Sequence, residues 1–317
     1  MHKLIINEWI KLFKRPGTLV MIGLLLLSII ATGVLNKIYG DNGQTAHPQW
    51  EQQVTQEIKQ AQKQLSELPA TAVDVKKDLE RKVAINQYRL DHQIPPANET
   101  TGWTFINDSS ALISFAGLFT IIIAAGIVAS EFGWGTIKLL LIRPIKRYKI
   151  LLSKYLTVVL FDLFMLAILF VSAAILGFSL FGTGDGHNVH LAYSNGSVVE
   201  QNMLLYLINT YLLSSIDVIM VTTMAFMISA VFRNSSLAVG LSIFLLLMGG
   251  TVTSLIASRY DWAKYILFAN TDLTQYFDGV PLVPGMTAGF SIIMLLLYFF
   301  VFHLLAFGFF TKKDVAA

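Results

Sequence analysis

Six runs of apolar residues, each long enough to cross a lipid bilayer, constrain this chain more than any other feature. A spanning helix needs about 20 predominantly apolar residues, because roughly 30 Å of hydrocarbon is crossed at about 1.5 Å per residue. Residues 18–38, 109–130, 204–232, 236–257 and 287–310 meet that demand cleanly. Residues 150–181 carry Lys154 and Asp162 but keep an apolar run from Leu163 to Phe181. Hydrocarbon offers the backbone no water to bond, so such runs fold as helices. The expected fold class is an all-α integral membrane protein with six transmembrane helices.

Composition agrees. Of 317 residues 55% are hydrophobic and only 14% charged, where soluble proteins carry about 25% charged residues. So little charge cannot cover a water-facing surface, which excludes an ordinary cytosolic enzyme. Disorder is excluded too, since it needs low hydrophobicity and high net charge. The net charge of +3 is too near balance to suggest nucleic acid as a partner. The chain has no cysteine, so disulfides, thiolate metal sites and cysteine nucleophiles are ruled out.

Lysine and arginine collect in short loops on the cytoplasmic side. Lys3, Lys11, Lys14 and Arg15 precede the first span; Lys138, Arg143, Lys146, Arg147 and Lys149 lie between the second and third. Arg233 falls between the fourth and fifth, and Lys312 and Lys313 follow the sixth, in the tail 311–317. The loop 182–203 has none. Both termini are therefore expected in the cytoplasm. The first run is longer than a signal-peptide core and ends on no convincing cleavage site, so it is read as a retained span.

Residues 1–17 read as an amphipathic elbow helix, with Ile5, Trp9, Leu12 and Phe13 on one face and Lys3, Asn7, Lys11 and Lys14 on another. It is either a charged interfacial anchor or a brace for the bundle. Residues 39–108 form the long polar insert. Val54, Ile58, Ala61, Leu65 and Leu68 make a 4-3-4-3 seam, and Val75, Leu79, Val83 and Leu90 a looser one. An extracytoplasmic helical hairpin is expected, serving as a spacer or as a lid that meets substrate or partner. Residues 93–108 read as an irregular return to the membrane. Residues 258–286, with Trp262, Tyr265 and Phe277, suit short re-entrant helices in the outer leaflet.

Chemistry-bearing motifs are absent. The Gly-x4-Gly-Lys-Ser/Thr phosphate loop, HExxH and GxSxG do not occur. His187-x-x-His190 has no nearby third ligand, so no metal is expected. No residue reads as catalytic.

The segment 131–149 is the most informative. Glu131 is followed by Gly133 and Gly135, which must bend the chain as it leaves the second span. Thr136–Ile142 then reads as a short apolar helix ended by Arg143-Pro144. It serves as positive-inside anchoring or, preferred here, inserts into a groove on a soluble partner.

Glu131-Phe132, Gly135-Thr136, Lys138, Leu139, Leu140, Arg143-Pro144, Arg147 and Lys154 resemble the pattern after the second span of type-2 ABC-exporter permeases. These are membrane subunits of bacterial exporters for bacitracin-like peptides, lantibiotics or sodium. The likeness extends to the basic elbow, the large insert and the re-entrant segment. It implies a coupling helix seated in a separate ATPase chain that binds ATP and magnesium, so no cofactor belongs to this chain. It also implies a second permease subunit, identical or different, and a bacterial plasma membrane.

Ionisable residues inside spans are costly and face protein or water. Tyr206, Thr210, Ser214 and Asp217 are spaced 4-4-3 and form one polar stripe. Asp162 and His303 lie at similar expected depths, so a pair between them is one hypothesis and separate interhelical hydrogen bonds the plainer one. The expected function is ATP-driven export by a permease subunit. The rivals are an ion-coupled secondary transporter working through Asp162 and Asp217, and a sensor or resistance protein that binds an antibiotic without moving it.

Overall fold

A computed structural model describes residues 1–39, 50–68, 73–96, 100–137, 145–184, 189–194, 197–278 and 281–312. In chain order, α1 is His2–Phe13, α2 Pro16–Tyr39, α3 Trp50–Glu67 and α4 Val73–His92. Then come α5, Gly102–Ser109, a 3-10 turn at Ser110–Leu112, α6, Ile113–Gly133, and α7, Arg147–Phe181. Strands β1, Val189–Ser194, and β2, Ser197–Asn202, precede α8, Met203–Phe232, and α9, Ser235–Ala257. A 3-10 turn at Asp261–Tyr265 leads to α10, Leu267–Asn270, α11, Gln275–Asp278, and the closing α12, Ala288–Lys312.

Six helical runs are long and apolar enough to cross a membrane: α2, the continuous run Gly102–Gly133, α7, α8, α9 and α12. They fall within a few residues of the expected spans, except that the second begins earlier. Residues 102–108, expected to be irregular, are helical because Thr101 and Thr104 cap one another reciprocally across the first turn. The loop 182–203 departs from an all-α description, since β1 and β2 pair antiparallel from Val189↔Asn202 to Ser194↔Ser197. An Asn-Gly pair flanked by short β-favouring segments is the signal for it.

The bundle is built around α6 and α8. Among the spans, 61% of the apolar stretch of Gly102–Gly133 and 67% of that of α8 are buried, against 22% for α2 and 17% for each of α9 and α12. Helices in lipid gain nothing from hiding apolar surface from water, so close packing of small side chains decides which meet. Ala116, Ala124, Ala125 and Val128 on α6 and Val221 and Ala225 on α8 are fully buried. A Cβ on Gly117 would stand 3.1 Å from Val218, so this glycine lets the two helices close. The Ala129 amide of α6 then donates to Ser229 Oγ of α8 at 3.0 Å.

At the end of the bundle away from the termini, α3 packs on α4 through Val54, Ile58, Ala61 and Leu79. Asn86 Nδ2 also donates to Glu57 at 2.9 Å. The seam expected from spacing is thus buried at its first three positions. Leu65 and Leu68 are half-buried, and the expected joint at residues 69–71 lies outside the described residues.

Candidate functional site

The end carrying the termini is tied together through the last residues of α6. Glu131 Oε1 accepts from Lys154 Nζ of α7 at 2.6 Å, and Lys154 donates again to Glu8 Oε2 of α1 at 2.7 Å. Lys11 adds a bond to Glu8 Oε1 at 2.8 Å. Lys154 is 1% exposed and Glu8 and Glu131 8% and 7%, so the three charges are nearly dry. Burial alone would raise the Glu8 carboxyl, but the charges and hydrogen bonds of Lys154 and Lys11 outweigh it and hold the group below its ordinary value of 4.5.

The neighbours of Glu131 engage other helices. Phe132 lies under the Arg233 guanidinium at 4.5 Å and edge-on to Phe310 of α12 at 6.3 Å. Trp134 meets the Arg15 guanidinium at 5.6 Å. Glu131, Phe132 and Trp134 thus reach α7, the turn between α1 and α2, the end of α8 and α12, and Lys154 passes the link on to Glu8 of α1. Gly135 follows at φ +70, a left-handed conformation that glycine takes without strain. Thr136 Oγ1 turns back to the Glu131 carbonyl at 3.4 Å. The elbow helix packs on the bundle: Trp9 and Phe13 lie edge-on against Phe164 of α7 at 5.8 and 5.4 Å.

The second feature lies toward the opposite end. Tyr206 and Thr210 of α8 line a cavity of about 450 Å3 with Gln201, Asn202, Thr274 and Phe277. Ser214 and Asp217, further along α8, line one of about 270 Å3 with Ser110, Ser114, Asp272 and Thr274. Thr274 borders both, so the four residues of the expected stripe line two adjoining cavities, together called the groove along α8 below. Its far wall is the turn before α11, where Asp272 accepts from the Thr274 amide at 2.9 Å. That turn is held by buried Asn270, which donates to the Lys264 and Ile266 carbonyls at 2.8 Å each and accepts from Ser291 of α12 at 2.7 Å.

Known proteins resemble the chain over much or all of its length. A family described as "Protein of unknown function (DUF2705)" matches residues 78–316. The chain belongs to that family. It is 51% identical over 318 residues to the "Uncharacterized protein YhcI" of Bacillus subtilis (strain 168), covering 100% of both chains. It is 36% identical over 202 residues to the "Uncharacterized membrane protein YdbK" of the same organism, which covers 62% of this chain and 76% of that one. The family match takes in both features described above apart from Glu8 and Lys11 of α1 and Arg15 after it.

Asp162 and His303 are not joined. Both Asp162 carboxylate oxygens are buried without a hydrogen-bond partner, while the nearby Thr120 hydroxyl donates to the Ala116 carbonyl at 3.2 Å. His303 donates from Nδ1 to the Phe299 carbonyl at 2.9 Å and meets Tyr155 edge-on at 4.5 Å. Tyr155 precedes Asp162 by seven residues, about 10 Å along the helix, so His303 sits at the wrong level. Tyr155 itself donates to Thr223 Oγ1 at 2.9 Å, because Thr223 spends its proton on the Ile219 carbonyl.

Of the expected coupling residues, Glu131, Gly135, Thr136 and Arg147 are placed as described, with Arg147 opening α7. Lys138, Leu139, Leu140, Arg143 and Pro144 lie outside the described residues. In the sequence Glu8 carries no site role, and Lys154 enters only as the last residue of the permease-like motif. The signals were a lone acid in a basic helix and a lone lysine entering an apolar run. Asp272 and Thr274 were missed because they come from a distant segment.

Proposed function

We propose that this chain is the permease subunit of an ABC exporter, oriented with both termini in the cytoplasm and α3–α4 outside. The observation that carries the reading is the clasp formed by Glu131, Phe132 and Trp134. The segment 131–149, which resembles a coupling helix, begins where α7, the turn between α1 and α2, the end of α8 and α12 are fastened together. A push from a nucleotide-driven ATPase would therefore reach α1, α7, α8 and α12 at once instead of being absorbed by one helix. The groove along α8 would be the substrate path. ATP and magnesium would belong to the partner, and a second permease copy or homologue would complete the pathway.

The test is to purify the tagged chain in mild detergent and measure ATP hydrolysis in what comes with it. The same is done after changing Lys138 and Arg143 to Glu. A stoichiometric ATPase, lost on charge reversal, is expected. A folded chain that comes alone under several mild conditions would overturn the reading. The buried, unpartnered carboxylate of Asp162 favours a second reading, a proton-coupled carrier. Transport in sealed vesicles that follows an imposed pH gradient without ATP, and is lost in Asp162→Asn, would establish it instead.

A further inference from the structure

The groove along α8 has a chemical polarity of its own. At one end Tyr206, Leu205, Leu213 and Phe277 supply aromatic and aliphatic surface beside the Asn202 and Gln201 amides. At the other end stand two carboxylates, Asp217 and Asp272, among the hydroxyls of Ser110, Ser114, Ser214 and Thr274. Among the described residues that line either cavity there is no lysine, arginine or histidine. Nor does any ion pair among the described residues engage Asp217 or Asp272; the Thr271 hydroxyl lies against Asp217, and Asp272 is occupied by its own turn at Thr274.

Asp217 is the fifteenth of the thirty residues of α8, about 21 Å from the start of that helix. An uncompensated carboxylate at such a depth is expensive, and a second one facing the same space makes it more so. Such a pair is relieved by taking up a proton or by a cation brought in from outside. A metal ion is poorly served, because no group of three acidic or histidine side chains occurs among the described residues. An ammonium head, with its several donors, suits two carboxylates ringed by hydroxyl acceptors.

We infer that the groove binds an organic cation, its primary ammonium held between Asp217 and Asp272 and its apolar body against Tyr206, Leu213 and Phe277. As a statement of substrate class this rests on the export reading, but binding itself needs no ATPase.

The experiment uses the full chain in phosphatidylcholine nanodiscs, with empty discs as the blank. The probe is dansylcadaverine, a fluorophore on a primary-amine tail, compared with its N-acetylated form, which keeps the body and loses the charge. Saturable binding of the amine is expected, weaker by about tenfold or more for the acetylated probe. Asp217→Asn and Asp272→Asn should each weaken the amine by about the same factor and leave the acetylated probe unchanged. Equal binding of the two probes to the wild type, or no saturable binding of the amine, would overturn the inference, and that comparison stands even where a variant fails to fold. Amine binding by a chain that recruits no ATPase would sink the export reading alone. A stimulated ATPase without amine binding would sink this one alone.

Discussion

Replacing Lys154 by Met removes one charge from a nearly dry site while keeping most of the side-chain volume. Two charge-assisted hydrogen bonds go, at 2.7 Å to Glu8 and 2.6 Å to Glu131. Each such bond contributes about 1.5–3 kcal/mol. Glu131, less than a tenth exposed, is then left facing a thioether with no cation, while Glu8 keeps only Lys11. Breaking a buried pair from one side costs about 3–5 kcal/mol, because the remaining charge stays buried and unpaired. The expected loss for Lys154→Met is therefore about 4 kcal/mol. The decisive comparison is the triple variant Glu8→Gln, Lys154→Met, Glu131→Gln, which carries no stranded charge and should recover to within about 1–2 kcal/mol of the wild type. Unfolding in mixed micelles with increasing dodecyl sulfate, followed by tryptophan emission, gives the midpoints. With the other four tryptophans changed to phenylalanine, Trp9, which adjoins Glu8 in sequence and packs on α7, reports the joint. A cost below about 1 kcal/mol for the single variant, or a triple variant no more stable than the single, would refute the reasoning.

The remaining predictions concern pH and close packing. Because the folded Glu8 carboxyl is held below 4.5, its contribution is fully present above that value and is lost as pH falls through the lowered one. Trp9 emission should therefore hold steady from neutral pH down to about 5 and shift only in stronger acid; a shift centred near neutrality would contradict the assignment. At Gly102 an added Cβ would fall 2.4 Å from the Phe178 ring and 2.9 Å from the Gly182 carbonyl, whereas at Gly23 it meets open space. Gly102→Ala should cost about 1–3 kcal/mol by the same micelle titration, and Gly23→Ala should cost nothing measurable.

How much of this was legible in the sequence depended on distance along the chain. The spans were legible because each is a local run of about twenty residues whose composition alone decides its helicity. The stripe Tyr206, Thr210, Ser214, Asp217 was legible for the same reason, since one helix fixes their common face. What faces that stripe was not. Asp272 and Thr274 arrive from a segment that follows an entire further span, and no periodicity connects them to α8. The Glu8–Lys154 bond joins residues 146 positions apart, so the pattern could mark each as odd without marrying them. The Asp162–His303 pairing failed through depth counting. Lengths measured from the flanking lysines placed both residues alike, whereas the packing sets His303 level with Tyr155.

The ion cluster also has an order in time. Synthesis runs from the N-terminus, so Glu8 and Glu131 leave the ribosome 146 and 23 residues before the lysine they hold. When α7 is made, both of the acids that hold its ammonium are already in the chain. The most awkward cation among the apolar segments is thus the last member of its cluster to be made, and the growing chain has its neutralising groups in hand beforehand.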